Sequence, residues 1–254
     1  MNEIIERVYD QSGNRFYQVT RDGEVIAKLP SVTTILGGTS DKSGLEAWRQ
    51  RVGEEEADRI GKLSANRGTI MHRLVELYKS HTEGEPLERL EKLKELASED
   101  DEVNQFKGEE QYEHWIEEGW KMFMKFFHNH ADYFDSIKKV MSAEEFLWTT
   151  KKGGWAGTVD NVSELVNNKV KIIDYKNSRK PKRDEWIQDY YLQASAYWMA
   201  YWDMTGVKAD GAEIWIANEV DDIPQKFTLT ETDLKFYLKE FIKRREKFNE
   251  LHGV

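Results

Sequence analysis

Asp174 and Lys176 stand two residues apart in the stretch Lys171 to Asn177, which reads KIIDYKN. On a β-strand that spacing sends both side chains out of one face, with Ile173 and Tyr175 on the other. A carboxylate beside an ammonium at a strand end can do hydrolysis. The acid holds a divalent metal through hard oxygen, and the lysine positions or activates a water and neutralises charge on a phosphorane-like transition state. Asp160 closes the preceding strand after AGTV. A hairpin between the two strands brings Asp160 beside Asp174, giving two carboxylates for one metal. Taken alone, D-x-K also describes an ordinary ion pair on the surface of a hairpin, so other residues have to decide.

Three further features bear on that choice. His72 and Glu76 are four apart and share a helix face, and an imidazole is a good ligand for a catalytic metal. A histidine there is equally at home as a satisfied core residue. Glu144, in SAEEFLW on the strand before GWAGTVD, offers another carboxylate. Its neighbour Glu145 faces the opposite side, and Glu144 is preferred. Gln193 and Tyr197 are again four apart on one helix face, following a basic loop, where they can touch both lysine and phosphate. The same helix also reads as one that simply packs through Tyr190, Ala194 and Tyr201.

The elements that must position these residues alternate in type. RFYQVT and EVIAKL flank a turn at Asp22-Gly23 and read as a hairpin over Arg15 to Leu29, stopped by Pro30. SVTTIL follows as a short buried segment. Gly44 to Leu63 has helical spacing, and Asn66 can cap a second helix from Gly68 to Tyr78. Ser80 to Asn104 is polar and weakly patterned, with a helix in ERLEKLKELA between loops, and reads as a helical insertion or lid. Gln105 to His128 is strongly amphipathic. EEFLWTT, GWAGTVDNVSELV and KVKIIDYKN are strands, then Trp186 to Met204 is a helix. GAEIWIAN and KFTLT are late strands, and Thr230 with Asp233 caps a last helix reaching Leu251. The order predicts an α/β fold, a mixed sheet flanked by helices, in one domain over 1–254.

Composition bounds the function. The chain of 254 residues has no cysteine, which excludes disulfides, thiolate zinc sites and cysteine-held iron–sulfur clusters. No apolar run is long enough to span a membrane, and MNEIIERVYD lacks the core of a signal peptide, so a cytoplasmic protein, monomeric by default, is expected. The net charge of −10 is unlike that of most nucleic-acid binders. The charge is segregated, however. Acids concentrate in Glu83 to Glu118, and bases in Lys176, Arg179, Lys180, Lys182 and Arg183. Phosphate contacts are local, so the basic cluster weighs more than the total, and it is expected to touch a nucleic-acid backbone.

Together these pieces resemble the RecB-like branch of the PD-(D/E)XK nucleases. That pattern has a histidine on an early helix, then G-x-x-D, D/E-x-K and Q-x-x-x-Y. Here it reads GTIMH with His72, GTVD with Asp160, DYK with Asp174 and Lys176, and QASAY with Gln193 and Tyr197. PSVTTIL at Pro30 to Leu36, WRQRVGE at Trp48 to Glu54 and RGTIMH at Arg67 to His72 are similar to segments of phage exonucleases and of the mitochondrial genome-maintenance exonuclease. The resemblance runs from about Pro30 to Gly206. It implies a restriction-endonuclease-like core, with Mg2+ or Mn2+ held by His72, Asp160, Asp174 and the Tyr175 carbonyl. It implies Lys176 as the catalytic lysine, with Glu144, Gln193 and Tyr197 assisting, and Arg67 and Thr69 on the substrate side. It also implies an exonuclease on single-stranded DNA with a free end, threaded under an arch from Ser80 to Asn104, where Tyr78 and Trp115 could stack on bases. The rivals are a structure-selective or restriction-like endonuclease on the same core, and a binding module with a dead site. The retained acids, lysine and histidine argue against the last.

Overall fold

The computed structural model describes residues 3–253. Its centre is a five-stranded mixed sheet in the order β4-β5-β6-β7-β8: Ile137–Thr149, Trp155–Leu165, Val170–Ser178, Gly211–Asn218 and Gln225–Thr230. Only β6 and β7 run parallel. A parallel pair needs a crossover, and α6 (Gln188–Thr205) supplies it. Such strands are covered on both faces, and β7 is accordingly buried at every residue.

Alternation along β6 and β7 divides the core in two. Ile172, Ile214 and Ile216 point to one side, where α1 (Val32–Thr39), α6 and α7 (Glu231–His252) pack. Ile173, Tyr175 and Trp215 point to the other, against α3 (Glu54–Ser80), α4 (Pro86–Glu99) and α5 (Tyr112–His128). The α/β architecture of a mixed sheet between helices is therefore as the sequence predicts.

A second, antiparallel sheet holds β1 (Glu3–Tyr9), β2 (Arg15–Arg21) and β3 (Glu24–Pro30). The hairpin β2–β3 matches expectation, whereas β1 does not figure in the sequence reading. Its residues are mostly exposed, so it lacks the alternation that marks a half-buried strand. The small sheet is fastened to the large one by a bridge between Ser31 and Ala156 and by Tyr17 and Leu29 packed on Ala156.

Several boundaries differ from expectation for identifiable reasons. SVTTIL is helical: Ser31 caps α1, its hydroxyl accepting from the Thr34 amide at 3.0 Å. The helical stretch after Gly44 breaks at Gly53, whose φ of 90° is open to glycine, into α2 (Ser43–Val52) and α3. Asn66 caps nothing; it lies buried in mid-α3. The amphipathic helix starts at Tyr112, not Gln105. Asp160 does not close its strand, because β5 continues to Leu165. Thr230 and Asp233 do form the expected capping box.

The segment 80–104 contains the expected helix, α4. That helix is held down. Leu90, Leu93, Ala97 and Val103 are buried in the core that α3 and α5 share. Arg89 donates to the Tyr78 and His81 carbonyls, closing the C-terminal end of α3. Arg73 of α3 grips Asp100, which follows α4, through Nε at 3.0 Å and Nη2 at 2.8 Å. Tyr78 and Trp115, 0% and 2% exposed, are core residues and cannot stack on bases. Among the described residues no helix is long and apolar enough to cross a membrane.

If α4 is core, Leu93→Ala should cost about 2–5 kcal/mol, the usual range for a buried leucine. Urea unfolding of the full chain measures it. A loss within experimental error of zero would mean that α4 is a detachable lid.

Candidate active site

The site begins where two strands part. β5 pairs with β6 only from Asn161↔Ile173 to Glu164↔Val170. Beyond that point β6 stays with β7 through Ser178, and β5 stays with β4 through Trp155. A fork opens, with Asp160 and Asp174 as the first residues past the last pair. Across it the Tyr175 amide, which has lost its ladder partner, donates to Asp160 Oδ2 at 2.8 Å.

Helix α3 crosses this fork and brings His72, whose Nδ1 lies 3.5 Å from Asp160 Oδ2. Strand β4 brings Glu144 from the other side. Its φ of 46° is strained for a residue with a side chain. One ligand atom each from His72, Glu144 and Asp160 lie within 4.8 Å of one another. This decides between the two glutamates: Glu144 joins the acidic group, and Glu145 pairs across to Val159 instead. Asp174 is not a member of that three-residue group.

Asp174 is 1% exposed and faces Lys176 Nζ at 2.5 Å. The contact is an ion pair without hydrogen-bond alignment, and both carboxylate oxygens are buried with no hydrogen-bond partner. Burial pushes the Asp174 carboxyl up to about 7 against the opposing pull of Lys176. Desolvation would lower the Lys176 ammonium, but Asp174 and Asp160 outweigh it and hold the lysine above its ordinary value. Glu144 is pushed up to about 8, first by desolvation and then by Asp160 and Glu76. Desolvation lowers His72 and so favours the neutral ring, the form that binds metals. Asp160 and the Tyr175 backbone pull the other way, toward the charged ring.

The residues present fit a divalent cation. Two carboxylates, Glu144 and Asp160, and an imidazole converge at the fork, a third carboxyl, Asp174, lies buried beside it, and both Asp174 oxygens lack hydrogen bonds. Hard oxygen with one nitrogen suits such an ion.

A cleft of about 660 Å³ lies over the fork. Gln193 and Tyr197 of α6 line it, joined by Gln193 Nε2 donating to Tyr197 Oη at 3.3 Å. Tyr197 reaches this position because residue 157 is glycine: a Cβ there would stand 2.8 Å from the ring. Thr69 of α3 also lines the cleft, as expected. Arg67 does not. It is 0% exposed, donates through Nε to Asn177 Oδ1 at 2.8 Å, and pairs with Glu219. It ties α3 to the end of β6, and Gly68 leaves room there for the Asn177 amide, which a Cβ would meet at 2.6 Å. The expectation that Arg67 touches substrate is therefore corrected: helix packing over β6 buries it.

Arg179, Lys180 and Lys182 line a separate groove of about 550 Å³ beside the catalytic strand, with Trp48, Trp186 and Tyr190. Arg183 lies over the exposed Trp186 ring at 5.1 Å. Tyr190 joins the two places, since Lys176 Nζ sits 5.3 Å over its ring.

Sequence reasoning missed several cleft or near-cleft residues, among them Thr33, Arg73, Glu102 and Thr158. Arg7, Arg15 and Tyr17 line the cleft from the N-terminal sheet, for which no local pattern could give the docking. Lys79, buried under the acids, donates to Tyr175 Oη at 3.2 Å, and burial lowers it to about 7 against the pull of Asp160, Glu144 and Glu76. Its place seven residues beyond His72, on the same helix face, was the available signal.

Comparison with known proteins bears on the whole arrangement. No curated protein matches the sequence. Solved structures that match part of the chain include two at low identity. One, described as "Putative exonuclease" from Eubacterium rectale, is 14% identical with a TM-score of 0.44, over 66% of this chain and 70% of that one. The other, SSO0001, is 14% identical with a TM-score of 0.32, over 68% and 84%. The family model of the PD-(D/E)XK nuclease superfamily matches residues 40–251, which contain the fork and every acid around it, and this chain belongs to that superfamily.

Proposed function

We propose that this protein is a Mg2+- or Mn2+-dependent deoxyribonuclease that degrades single-stranded DNA from a free end, of the kind phages use in replication, recombination or DNA degradation. One observation carries the reading. His72, Glu144 and Asp160 converge at the fork beside the buried Asp174–Lys176 pair, in a cleft with the expected Gln193 and Tyr197. The motif order that resembles phage exonucleases supports the finer assignment.

When bound, the cation supplies Lewis-acid polarisation of the phosphate and a more acidic water. The side chains do the rest. Asp160, Glu144, Asp174 and His72, with the Tyr175 carbonyl, are the groups that would hold it. The Tyr175 amide orients Asp160. Lys176, charged and fixed between Asp174 and the Tyr190 ring, offers its ammonium to the charge that develops on the phosphoryl oxygens. Gln193 and Tyr197 can donate hydrogen bonds to the same group. Arg179, Lys180, Lys182 and Arg183 are suited to the backbone of the strand, and Trp186 to a base.

The single-strand preference rests on the walls of the cleft. The N-terminal sheet stands on one side and α3 on the other, and about 660 Å³ between them suits a flexible strand better than a stiff duplex. One observation favours the endonuclease rival. The segment at 80–104 lies along α3 and sends only Glu102 to the cleft, so no arch enforces threading.

Asp174→Ala and Lys176→Ala should each lower the rate of DNA cleavage about a hundredfold or more while leaving the far-ultraviolet spectrum unchanged. Cleavage at the wild-type rate by folded Lys176→Ala would remove the lysine from the chemistry.

Metal affinity should rise with pH. In the metal-free protein Asp174 titrates at about 7 and Glu144 at about 8. Below those values both acids are protonated and a cation must displace the protons, whereas above them the oxygens are free. Manganese titration by calorimetry from about pH 6 to about pH 9 should therefore show affinity climbing and then levelling off, with protons released at the acid end. Affinity independent of pH across that window would contradict this ligand set.

Linear single strands labelled at either end should be degraded in magnesium or manganese, and excess chelator should stop the reaction. Circular single strands should survive. Cutting of circles as fast as linear strands would replace the free-end reading with the endonuclease one.

A further inference from the structure

The cleft over the fork carries charges of both signs. Glu76, Glu102, Glu144 and Asp160 are its acids. Four cations line the same cleft: Arg7, Arg15, Arg73 and Lys176. Two of them are neutralised within the protein. Arg73 is held by Glu76 and Asp100, and Lys176 by Asp174. Arg7 and Arg15 have no carboxylate partner among the described residues. Arg15 is the more telling. It is half-buried, its Nη2 donates to the Thr33 hydroxyl at 2.6 Å, and its Nε is buried with no hydrogen-bond partner. Its Nη2 end, by contrast, is exposed to the cleft, where an anion can reach it. Arg67 of α3, fully buried and with an unpartnered Nη2 of its own, differs in having a carboxylate, Glu219.

The place of Arg15 is fixed by backbone rather than by loops. The Ser31 amide donates to the Arg15 carbonyl at 3.0 Å, and Ser31 bridges Ala156 of β5. Ala156 is four residues before Asp160 on the same strand, about 13 Å along it. Arg15 is thus held a short oligonucleotide's length from the metal-binding acids. Arg15 and Thr33 are also the two residues that line both the catalytic cleft and a neighbouring polar groove of about 600 Å³, which continues past Asn14, Thr34 and Lys42. Thr33 sits in the first turn of α1, which has no acidic residue.

We infer that Arg15, with Thr33 and Arg7, forms a second phosphate-binding subsite that grips the substrate strand on the side of the scissile bond away from the basic loop at Arg179. The subsite rests on the nuclease reading above. It gives the N-terminal sheet, which lies outside the residues 40–251 that the family model matches, a role as the far wall of the strand's path. The strand enters or leaves across the Arg15–Thr33 ridge into the neighbouring groove. Arg15 presents the accessible Nη1–Nη2 edge of its guanidinium, beside the Thr33 hydroxyl, to phosphate oxygens in the forked manner arginine favours.

The test uses the full chain carrying Asp160→Asn, so that no cleavage intervenes. Fluorescein-labelled single strands are titrated in chelator over a range of potassium chloride concentrations, as 5′-phosphorylated, 3′-phosphorylated and circular oligonucleotides. Adding Arg15→Gln should weaken binding roughly tenfold or more. It should also flatten the plot of log affinity against log salt by about 0.7, the share of one phosphate on a single strand. Arg15→Lys should keep the slope. Loss on all three oligonucleotides identifies an internal phosphodiester as the ligand, and loss on one phosphorylated end alone identifies a terminal phosphate. Arg7→Gln, on an exposed strand position, carries the same test if Arg15→Gln does not fold. Unchanged affinity and slope in both variants would overturn the subsite while leaving nuclease activity of the parent intact. A parent sequence that cleaves no DNA in magnesium or manganese would instead defeat the functional reading, and the subsite with it.

Discussion

The divergence of β5 from β6 after the pair Asn161↔Ile173 is the constraint on which the site depends. Two paired strands would bury the edges of both aspartates in a ladder. Two strands that part leave Asp160 and Asp174 facing one opening, with the Tyr175 amide free to hold Asp160. The parting is not a local accident. β6 is committed to β7 over its whole length through a parallel ladder, and β5 is committed to β4. Sheet twist rotates these commitments away from each other, so the gap widens toward the C-terminal end of β6. Helices α3 and α6 then fill the two sides of the fork with His72 on one and Gln193 and Tyr197 on the other.

Gathering acids at a fork is destabilising, and the surroundings answer it locally. Lys176 faces Asp174, Lys79 lies beneath the group, and the Asp160 carboxylate takes a backbone amide. Even so, burial holds Asp174 above the ordinary carboxylate range, and desolvation in the cleft with repulsion from Asp160 and Glu76 does the same for the more exposed Glu144. The strained backbone of Glu144 belongs to the same ledger, since strain of this kind persists only where surrounding structure enforces it. A chain with net charge −10 can still present phosphate-attracting surfaces, because Arg7 and Arg15 at the cleft and Arg179, Lys180, Lys182 and Arg183 at the basic loop group cations locally.

The cleft owes its shape to two additions to the central sheet. One is the N-terminal three-stranded sheet, attached through Ser31 and Ala156. The other is α3, which is locked to β6 by Arg67 and Asn177 and backed by α4 and α5. The segment at 80–104 acts through that backing. By burying Leu90, Leu93 and Ala97 against α3 and binding Arg73 through Asp100, it stiffens the helix that carries His72.

Much of this was legible along the chain. Alternation and continuous apolar runs marked β4 to β8, turn residues marked the β2–β3 hairpin, and Thr230 with Asp233 marked the start of α7, because these depend on neighbours in sequence. The order His72, Asp160, Asp174, Lys176, Gln193, Tyr197 was readable for the same reason: each motif is local. The burial of Arg67 and Tyr78 was not, nor the docking of β1, nor the seating of α4. Each of these is decided by contacts across many residues, as between Arg67 and Glu219 or Arg73 and Asp100, where the sequence has no periodicity to report. The sequence by itself determined which chemical groups are present and which strand or helix face each leaves. Only the tertiary structure decided which of them share a site, because the parting of β5 from β6 is set by their ladders with β4 and β7, and that long-range pairing brings Glu144, and not Glu145, to His72 and Asp160.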